Sequence, residues 1–203
     1  MQLKIHPDTP SPRKTEKAVD LLRDGGIIIY PTDTIYGLGC DINNAKAVEK
    51  ILWMKGLEAK DAKLSFICHD ISEASDYAKI NDDAFKIMKK NLPGPFTFIL
   101  PASNKVPKLF QNKKKTVGIH IPDNNIPLKL VEELGSPIIS TSLHHQDKIL
   151  EYPTDPELIY DEYKSDVDAI IDGGAGSNNP STVVDLTSGE PVVIREGQGT
   201  LVL

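Results

Sequence analysis

Helical and strand-like hydrophobic patterns alternate along the first part of the chain. Apolar residues recur at helical spacing between Ser11-Pro12 and Gly25-Gly26, which are typical of a helix start and a helix end. The next run, Ile27 to Tyr30, is continuously apolar, as in a strand that is covered on both faces. Ala45 to Met54 again shows an apolar stripe at helical spacing. We therefore predict a helix, a strand and a second helix, with Pro31 to Cys40 as the strand-to-helix connection.

The remaining patterns extend this alternation and then change to strands joined by short loops. The predicted strands are 64–68, 96–100, 116–121, 137–142, 169–171, 182–186 and 192–194, and the predicted helices are 82–90, 127–134 and one that opens at Asp155-Pro156. The helix 82–90 carries Phe85 and Met88 on one side. These elements favour an α/β fold in which one mixed, twisted sheet is packed between helices, with residues 1–203 forming a single domain.

Composition and charge narrow the classes of protein. The 203 residues can bury a full core, and 39% of them are hydrophobic. A formal net charge of −6 argues against a general nucleic-acid coat protein. Cys40 and Cys68 lie far apart, and the sequence has neither a targeting pattern nor an apolar stretch long enough for a membrane span. We therefore expect a cytoplasmic protein with free thiols and no membrane association.

Polar residues gather at the ends of several predicted strands. Thr32 to Thr34 follow Tyr30, Ser140 to Ser142 follow an apolar strand, and Arg195 follows the last one. Because ligands of open α/β sheets lie beyond strand ends, these hydroxyls and this arginine would suit a phosphate-bearing ligand. Each feature taken alone has a structural alternative: helix caps and turns explain a Thr-Asp-Thr segment about twice as often as ligand binding does.

Three other patterns point to chemistry less strongly. The segment D-G-G-A-G at 172–176 lacks the register of a nucleotide-binding glycine motif. His144-His145 has no cysteine or carboxylate at metal-ligand spacing, so a loop pair is the favoured interpretation and no metal site is predicted. Lys113 to Lys115 form either an exposed charge run or a contact for RNA.

Seven segments occur together in an order that is far more specific than any one of them. They are P-T-D-T-I-Y-G-L-G-C-D-I-N (31–43), M-K-G (54–56), L-P-G-P-F-T-F-I-L (92–100), V-G-I-H-I-P-D (117–123), S-T-S (140–142), S-T-V-V-D-L (181–186) and I-R-E-G (194–197). In these segments the chain resembles the YrdC/YciO-like family over essentially its whole length. The resemblance is closest to the YciO branch, which shares I-H-P-D near the start, leucine after the K-G step, C-H-D-I-S after the second strand and S-T-S-L.

The resemblance implies both a fold and an activity. The fold is a twisted, mixed α/β sheet, surrounded by helices, with a concave, positively charged cleft. The activity is that of a nucleotidyltransferase that makes L-threonylcarbamoyladenylate from L-threonine, bicarbonate and ATP, with Mg²⁺ accompanying the ATP. The product feeds the threonylcarbamoyladenosine modification of tRNA, and some members have been described as binding double-stranded RNA.

The resemblance also implies site residues, position by position, although no catalytic residue is assigned. The threonine side would comprise Thr34, Ser140, Ser181 and His120. The nucleotide side would comprise Lys55, Thr116, Ser142, His144 and Arg195. Asp33 and Tyr36 would shape the loop that carries Thr34.

Three departures from the synthase pattern affect the expected activity. Leu57 and His120 stand where synthase members have arginine, and His144 stands where they have asparagine. If each lost charge-assisted contact contributes about 1.5–3 kcal/mol, two losses lower binding or rate by about 10²–10⁴. Three hypotheses follow: a synthase of reduced activity, a non-catalytic module that binds double-stranded RNA, tRNA or the ribosome, and an enzyme on the same fold for another amino acid or carbamoyl acceptor.

Overall fold

One mixed sheet of ten strands runs through the residues that the computed structural model describes, which are 1–57, 64–110, 115–143 and 153–203. The strands are β1 (Gln2–Lys4), β2 (Ile28–Tyr30), β3 (Gly37–Asp41), β4 (Ser65–Ile67), β5 (Phe96–Pro101), β6 (Thr116–His120), β7 (Ile138–Ser142), β8 (Ala169–Asp172), β9 (Thr182–Asp185) and β10 (Val192–Arg195). Their order across the sheet is β1-β8-β2-β3-β7-β4-β6-β5-β9-β10. β8 is parallel to β1 and β2, β4 to β6, and β5 to β9, whereas the other neighbours are antiparallel. The predicted α/β fold with a mixed sheet is confirmed.

Helices connect many of these strands. They are α1 (Pro12–Arg23), α2 (Ala45–Met54), α3 (Ile71–Tyr77), α4 (Asp82–Asn91), α5 (Asn125–Leu134) and α6 (Pro156–Tyr163), with one 3₁₀ turn at Lys108–Phe110. An aspartate or asparagine side chain caps the start of five of them by accepting a backbone N–H, and these caps are Asn44, Asp70, Asn81, Asn124 and Asp155. In the described residues, no helix is both long and apolar enough to cross a membrane.

The helices divide into two groups that cover the sheet unequally. Buried residues of α2, α3, α4 and α6 pack in one large apolar cluster with Leu38, Phe66, Phe98 and other residues from one face of the sheet. Buried residues of α1 and α5 pack on the opposite face, against a smaller cluster that includes Tyr30 and Ile171. Complete burial of one such large apolar side chain contributes about 1.5–3 kcal/mol, so both clusters are substantial sources of stability. The smaller cluster reaches only from β1 to β7 and the end of β4, which leaves the rest of that face without a helix in the described residues.

Several predicted elements are confirmed closely, whereas others are wrong or were missed. α2 has the predicted bounds, but Pro31 to Cys40 is not a simple connection, because Gly37–Asp41 forms β3, an interior strand of the sheet. The glycines that suggested a loop are needed inside this strand: a Cβ on Gly39 would lie 2.3 Å from the backbone oxygen of Ile139. In α4, Ala84 and Met88 are buried, whereas Phe85 is 44% exposed. β1 and α3 were not predicted.

Candidate functional site

The uncovered part of the sheet carries a row of small and hydroxyl-bearing residues. Ser140 pairs with Ser65, Ser65 pairs with Gly118, and Gly118 pairs with Ile99. Because directly paired residues on neighbouring strands point to the same side of a sheet, these residues share one face. Alternation along each strand adds further members to that face. We call the resulting set the polar strip, and it comprises Ser65, Thr97, Thr116, Gly118, His120, Ser140 and Ser142. None of its members belongs to either apolar cluster.

The loop between β2 and β3 is held by its own threonines. The Thr32 hydroxyl donates to the backbone oxygen of Ile35 over 2.7 Å and accepts from the backbone N–H of Thr34 over 3.0 Å. Thr34 is buried, with its Oγ1 3.1 Å from Oγ1 of Thr32, and its backbone oxygen accepts from the N–H of Ser177. The predicted structural role of a Thr-Asp-Thr turn is therefore present, and it fixes the backbone around Thr34.

Asp33 attaches this loop to three other parts of the chain. Its Oδ1 lies 3.1 Å from Nε2 of His120, and its Oδ2 accepts the backbone N–H of Asp123 over 3.0 Å. The backbone oxygen of Asp33 accepts from Nε2 of Gln198 over 3.1 Å. One residue thus joins the loop to the end of β6, to the segment before α5 and to the residues that follow β10.

Tyr36 anchors the far end of the same loop. Its hydroxyl donates to the backbone oxygen of Gly174 over 2.7 Å and accepts from the N–H of Gly173 over 3.3 Å. Burial raises the pKa of Tyr36 to about 12, so the hydroxyl remains a donor at neutral pH. The expected loop-shaping roles of Asp33 and Tyr36 agree with these contacts.

A hydroxyl pair and a guanidinium lie at the end of the polar strip nearest β9. Ser181 Oγ is 2.8 Å from Oγ1 of Thr97, and Nη2 of Arg195 donates to the Ser181 backbone oxygen over 2.7 Å and contacts its Oγ at 3.2 Å. Thr97 precedes Phe98, which pairs with Ile119, so Thr97 is the neighbour of His120 across the β5–β6 pair. The structure therefore brings Ser181, Arg195 and His120 to one region of the strip.

Lys55 supplies a cation beside Ser142, the strip residue at the end of β7. It follows α2, and its Nζ donates to the backbone oxygen of Ser142 over 2.8 Å. Partial burial lowers the pKa of Lys55 from 10.5 to about 8. Gly37 pairs with Ser142 on the neighbouring strand, so Lys55 lies near the start of β3. Thr116 is at the start of β6, on the same face.

Some predicted residues lie outside the described ranges, and some contributors were not predicted. His144, Lys113 and Lys114 fall in the gaps, whereas Lys115 is described and is exposed with a positive φ of 52°. Thr97, Ser65 and Gln198 were not named from the sequence. Thr97 had a usable signal, because it is the polar residue in the alternating strand F-T-F-I-L. Among the described residues, no group of three or more His, Cys, Asp and Glu could hold a metal ion.

Comparison with known proteins identifies relatives over almost the whole chain. The family model described as "Telomere recombination", which covers Sua5, YciO and YrdC, matches residues 20–197. The chain is 44% identical over 196 residues to YciO of Escherichia coli (strain K12), a protein described as uncharacterized, and the match covers 96% of this chain and 94% of that protein. The crystal structure of E. coli YciO matches with a TM-score of 0.91 and 43% identity, covering 98% of this chain and 97% of the other.

A second relative has a named activity. The chain is 33% identical over 186 residues to the threonylcarbamoyl-AMP synthase of Pyrococcus abyssi, which is 91% of this chain and 54% of the synthase. The crystal structure of P. abyssi Sua5 complexed with L-threonine matches with a TM-score of 0.88 and 31% identity, covering 97% of this chain and 57% of that one. This chain thus corresponds to a little over half of the P. abyssi protein.

Proposed function

Because the chain belongs to the Sua5/YciO/YrdC family, we propose that its polar strip binds L-threonine and ATP and that the protein is a threonylcarbamoyl-AMP synthase of reduced activity. The observation that carries this proposal is the contiguous set Ser181, Thr97 and Arg195 beside the Asp33–His120 pair on the uncovered face. The L-threonine complex of the P. abyssi relative supports threonine as the amino acid.

Neutral hydroxyls and one guanidinium are suited to an amino acid and a polyphosphate. Arg195 uses Nε and Nη2 to hold Ser181, which leaves Nη1, within the described residues, as the donor for a carboxylate or phosphate oxygen. Ser181 and Thr34 are both buried, so the side of a threonine that contacts them would be shielded from water. Removal from water matters because a carbamate formed from the amine and bicarbonate is short-lived in open solution.

The proposed reaction joins a carbamate to an adenylate. The threonine amine and bicarbonate condense with loss of water, a carbamate oxygen then bonds to the α-phosphorus of ATP, and the bond to the β-phosphate oxygen breaks to release pyrophosphate. Lys55, largely protonated at pH 7 because its pKa is about 8, would counter the phosphate charge from its half-buried position. Mg²⁺ bound to ATP would neutralise further phosphate charge, held mainly by phosphate oxygens and water. The chain's own contribution is positioning.

The local geometry supports reduced activity. His120 replaces an arginine of the family pattern, and it is nearly buried with Nε2 facing Asp33. An imidazole held by a carboxylate cannot offer the planar fork of donors that an arginine offers to an anion. Leu57 likewise brings no charge to the neighbourhood of Lys55.

The experiment is pyrophosphate release by the purified protein with L-threonine, bicarbonate, ATP and Mg²⁺, with each omitted in turn and the adenylate identified by mass. We expect slow turnover that needs all of them, and loss of most of it in Arg195→Met. Arg23→Met is the matched control, because Arg23 contacts Asp20 and Glu133 on the α1–α5 side. Absence of turnover together with absence of threonine and ATP binding by calorimetry would refute the proposal. If another amino acid in a panel is a better substrate than threonine, the proposed amino acid changes, but the proposed reaction type stands.

A further inference from the structure

The side-chain hydroxyl of Tyr30 is buried inside the fold. Tyr30 is the last residue of β2, directly before the Thr34 loop, and its side chain is completely buried in the cluster beneath α1 and α5. Its hydroxyl is the one buried side-chain polar atom in the described ranges that lacks a hydrogen-bond partner. A buried hydroxyl without a partner is unfavourable, so this one calls for a physical explanation.

Ser140 stands next to this hydroxyl, on the side of the polar strip. A Cβ on Gly37 would lie 2.9 Å from Oγ of Ser140 and 3.3 Å from the hydroxyl oxygen of Tyr30, so the glycine lets the two hydroxyls approach each other. Burial raises the pKa of Tyr30 well above its ordinary value, and Ser140 offsets part of this rise. The two groups are therefore close, although they do not meet the distance and angle of a hydrogen bond. The raised pKa keeps the Tyr30 hydroxyl protonated, and hence a donor, at neutral pH.

We propose that Tyr30 is a positioning residue that, when a ligand binds on the polar strip, donates its hydrogen to Oγ of Ser140 and thereby directs the hydrogen of Ser140 at an oxygen of that ligand. A serine hydroxyl has one hydrogen to donate and two lone pairs to accept with. When one lone pair accepts from Tyr30, the serine's own hydrogen is available for a carboxylate or carbamate oxygen. Hydrogen bonds in such a chain strengthen one another. This inference rests on the proposed function, which supplies the amino-acid ligand.

The burial of the two side chains is consistent with ligand contact by Ser140 and positioning by Tyr30. Ser140 is 6% exposed, as expected for a group at the floor of a binding surface, whereas Tyr30 is fully enclosed behind it and does not reach the ligand. The ring of Tyr30 fills the space that the glycines leave, since its Cε1 would be 3.0 Å from a Cβ on Gly39. Phenylalanine would fill the same space. The hydroxyl is therefore separable from the ring, and Tyr30→Phe removes only the group in question.

The test is a double-mutant cycle on L-threonine affinity, measured by calorimetry on the full chain for the wild type, Tyr30→Phe, Ser140→Ala and the double variant. We expect Tyr30→Phe to weaken threonine binding by about 3- to 10-fold, the loss of one net hydrogen bond. In the Ser140→Ala background the same substitution is expected to have no effect, because Tyr30 then has no serine through which to act. The melting temperature of Tyr30→Phe is expected to be unchanged or higher. Tyr77→Phe is the control, because Tyr77 packs against Phe66 on the opposite face.

The outcomes separate this inference from the proposed function. If the wild type binds no threonine, the proposed function fails and this inference fails with it. If the wild type binds threonine and Tyr30→Phe binds it equally well, the inference alone is overturned. An equal loss with and without Ser140 also overturns it, because Tyr30 would then act independently of the serine. A lowered melting temperature in Tyr30→Phe together with unchanged threonine affinity would assign the hydroxyl a purely structural role.

Discussion

Oδ1 of Asp33 lies 3.1 Å from Nε2 of His120, and the two side chains are only 7% and 6% exposed. Both oxygens of the carboxylate are engaged, since Oδ2 accepts the N–H of Asp123. This buried carboxylate is therefore one of the contacts that fix the position of the loop that carries Thr34. His120, which the sequence assigned to the threonine side, lies next to the predicted site but faces this carboxylate; direct contact with threonine stays a prediction.

Replacing Asp33 by alanine is expected to destabilise the fold and weaken threonine binding. The substitution leaves the buried His120 without its partner and removes the acceptor of the exposed Asp123 N–H, so the free energy of unfolding should fall by about 1–3 kcal/mol. Urea denaturation at pH 7 measures this. Asp20→Ala is the control, because the Asp20–Arg23 pair is exposed and its loss should change stability by no more than about 1 kcal/mol. Equal losses in the two variants would contradict the importance of the buried pair.

The lowered pKa of Lys55 predicts that both stability and nucleotide binding depend on pH. Its pKa in the fold is about 8, below its ordinary value of 10.5, so the unfolded chain binds more protons between these values. Stability from this group therefore rises as pH increases from about 8 to 10.5, and the charged form is disfavoured by the fold below that range. We expect the unfolding free energy of the wild type, relative to Lys55→Met, to increase across this window in urea titrations.

ATP binding should reverse this shift. A phosphate near Nζ favours the charged lysine, so affinity for ATP should fall as pH rises through about 8, with proton uptake on binding at pH 8. Calorimetry in two buffers of different ionisation enthalpy measures the uptake. Lys55→Met should show neither effect, and an uptake that persists in this variant would assign the proton to another group.

Two elements, α2 and β3, show how much of the fold could be predicted from the sequence. α2 was predictable because its apolar stripe and Asn44 cap are local signals. β3 was not, because Gly37 and Gly39 are typical of a loop and their reason lies in Tyr30, Ser140 and Ile139, which approach from other strands.

The candidate site shows the same limit. The contacts that build it join residues far apart in the chain: Thr97 and Ser181 are separated by 84 positions, and Asp33 and His120 by 87. No local pattern encodes such a register. The ordered family motifs named Thr34, Ser181 and Arg195 as site residues, but the partners that orient them required coordinates.

Asn91 is expected to hold the segment that follows Gln198. Its Nδ2 donates to the backbone oxygen of Val202 over 2.8 Å and its Oδ1 accepts the N–H of Val202 over 2.9 Å. Asn91→Ala removes both bonds, so the unfolding free energy should fall by about 1–3 kcal/mol and carboxypeptidase should remove residues 199–203 faster. Asn81→Ala, which removes the cap at the other end of α4, should lose about 1 kcal/mol without this sensitivity. Equal digestion of the two variants would show that Asn91 does not fix the segment.

Two strand glycines give a contrast between fold and site. A Cβ on Gly39 would lie 2.3 Å from the Ile139 oxygen and 2.7 Å from Cγ2 of Ile138. The Ile139 oxygen belongs to the backbone of the neighbouring strand, which cannot shift without disturbing the sheet. A Cβ on Gly118 would lie 3.3 Å from Cγ2 of Thr97, a side-chain atom that can shift, and it would project from the centre of the polar strip.

We therefore expect Gly39→Ala to destabilise the fold by about 1–3 kcal/mol or more, and Gly118→Ala to change stability by no more than about 1 kcal/mol. Gly118→Ala should nevertheless lower the affinities for threonine and ATP, because the added methyl group occupies the surface on which a ligand would lie. Denaturation and calorimetry on the same preparations separate the two effects. If Gly118→Ala folds with wild-type stability and binds both ligands unchanged, they do not lie across the centre of the strip, and the site must then be confined to its two ends, around Ser181 and around Lys55.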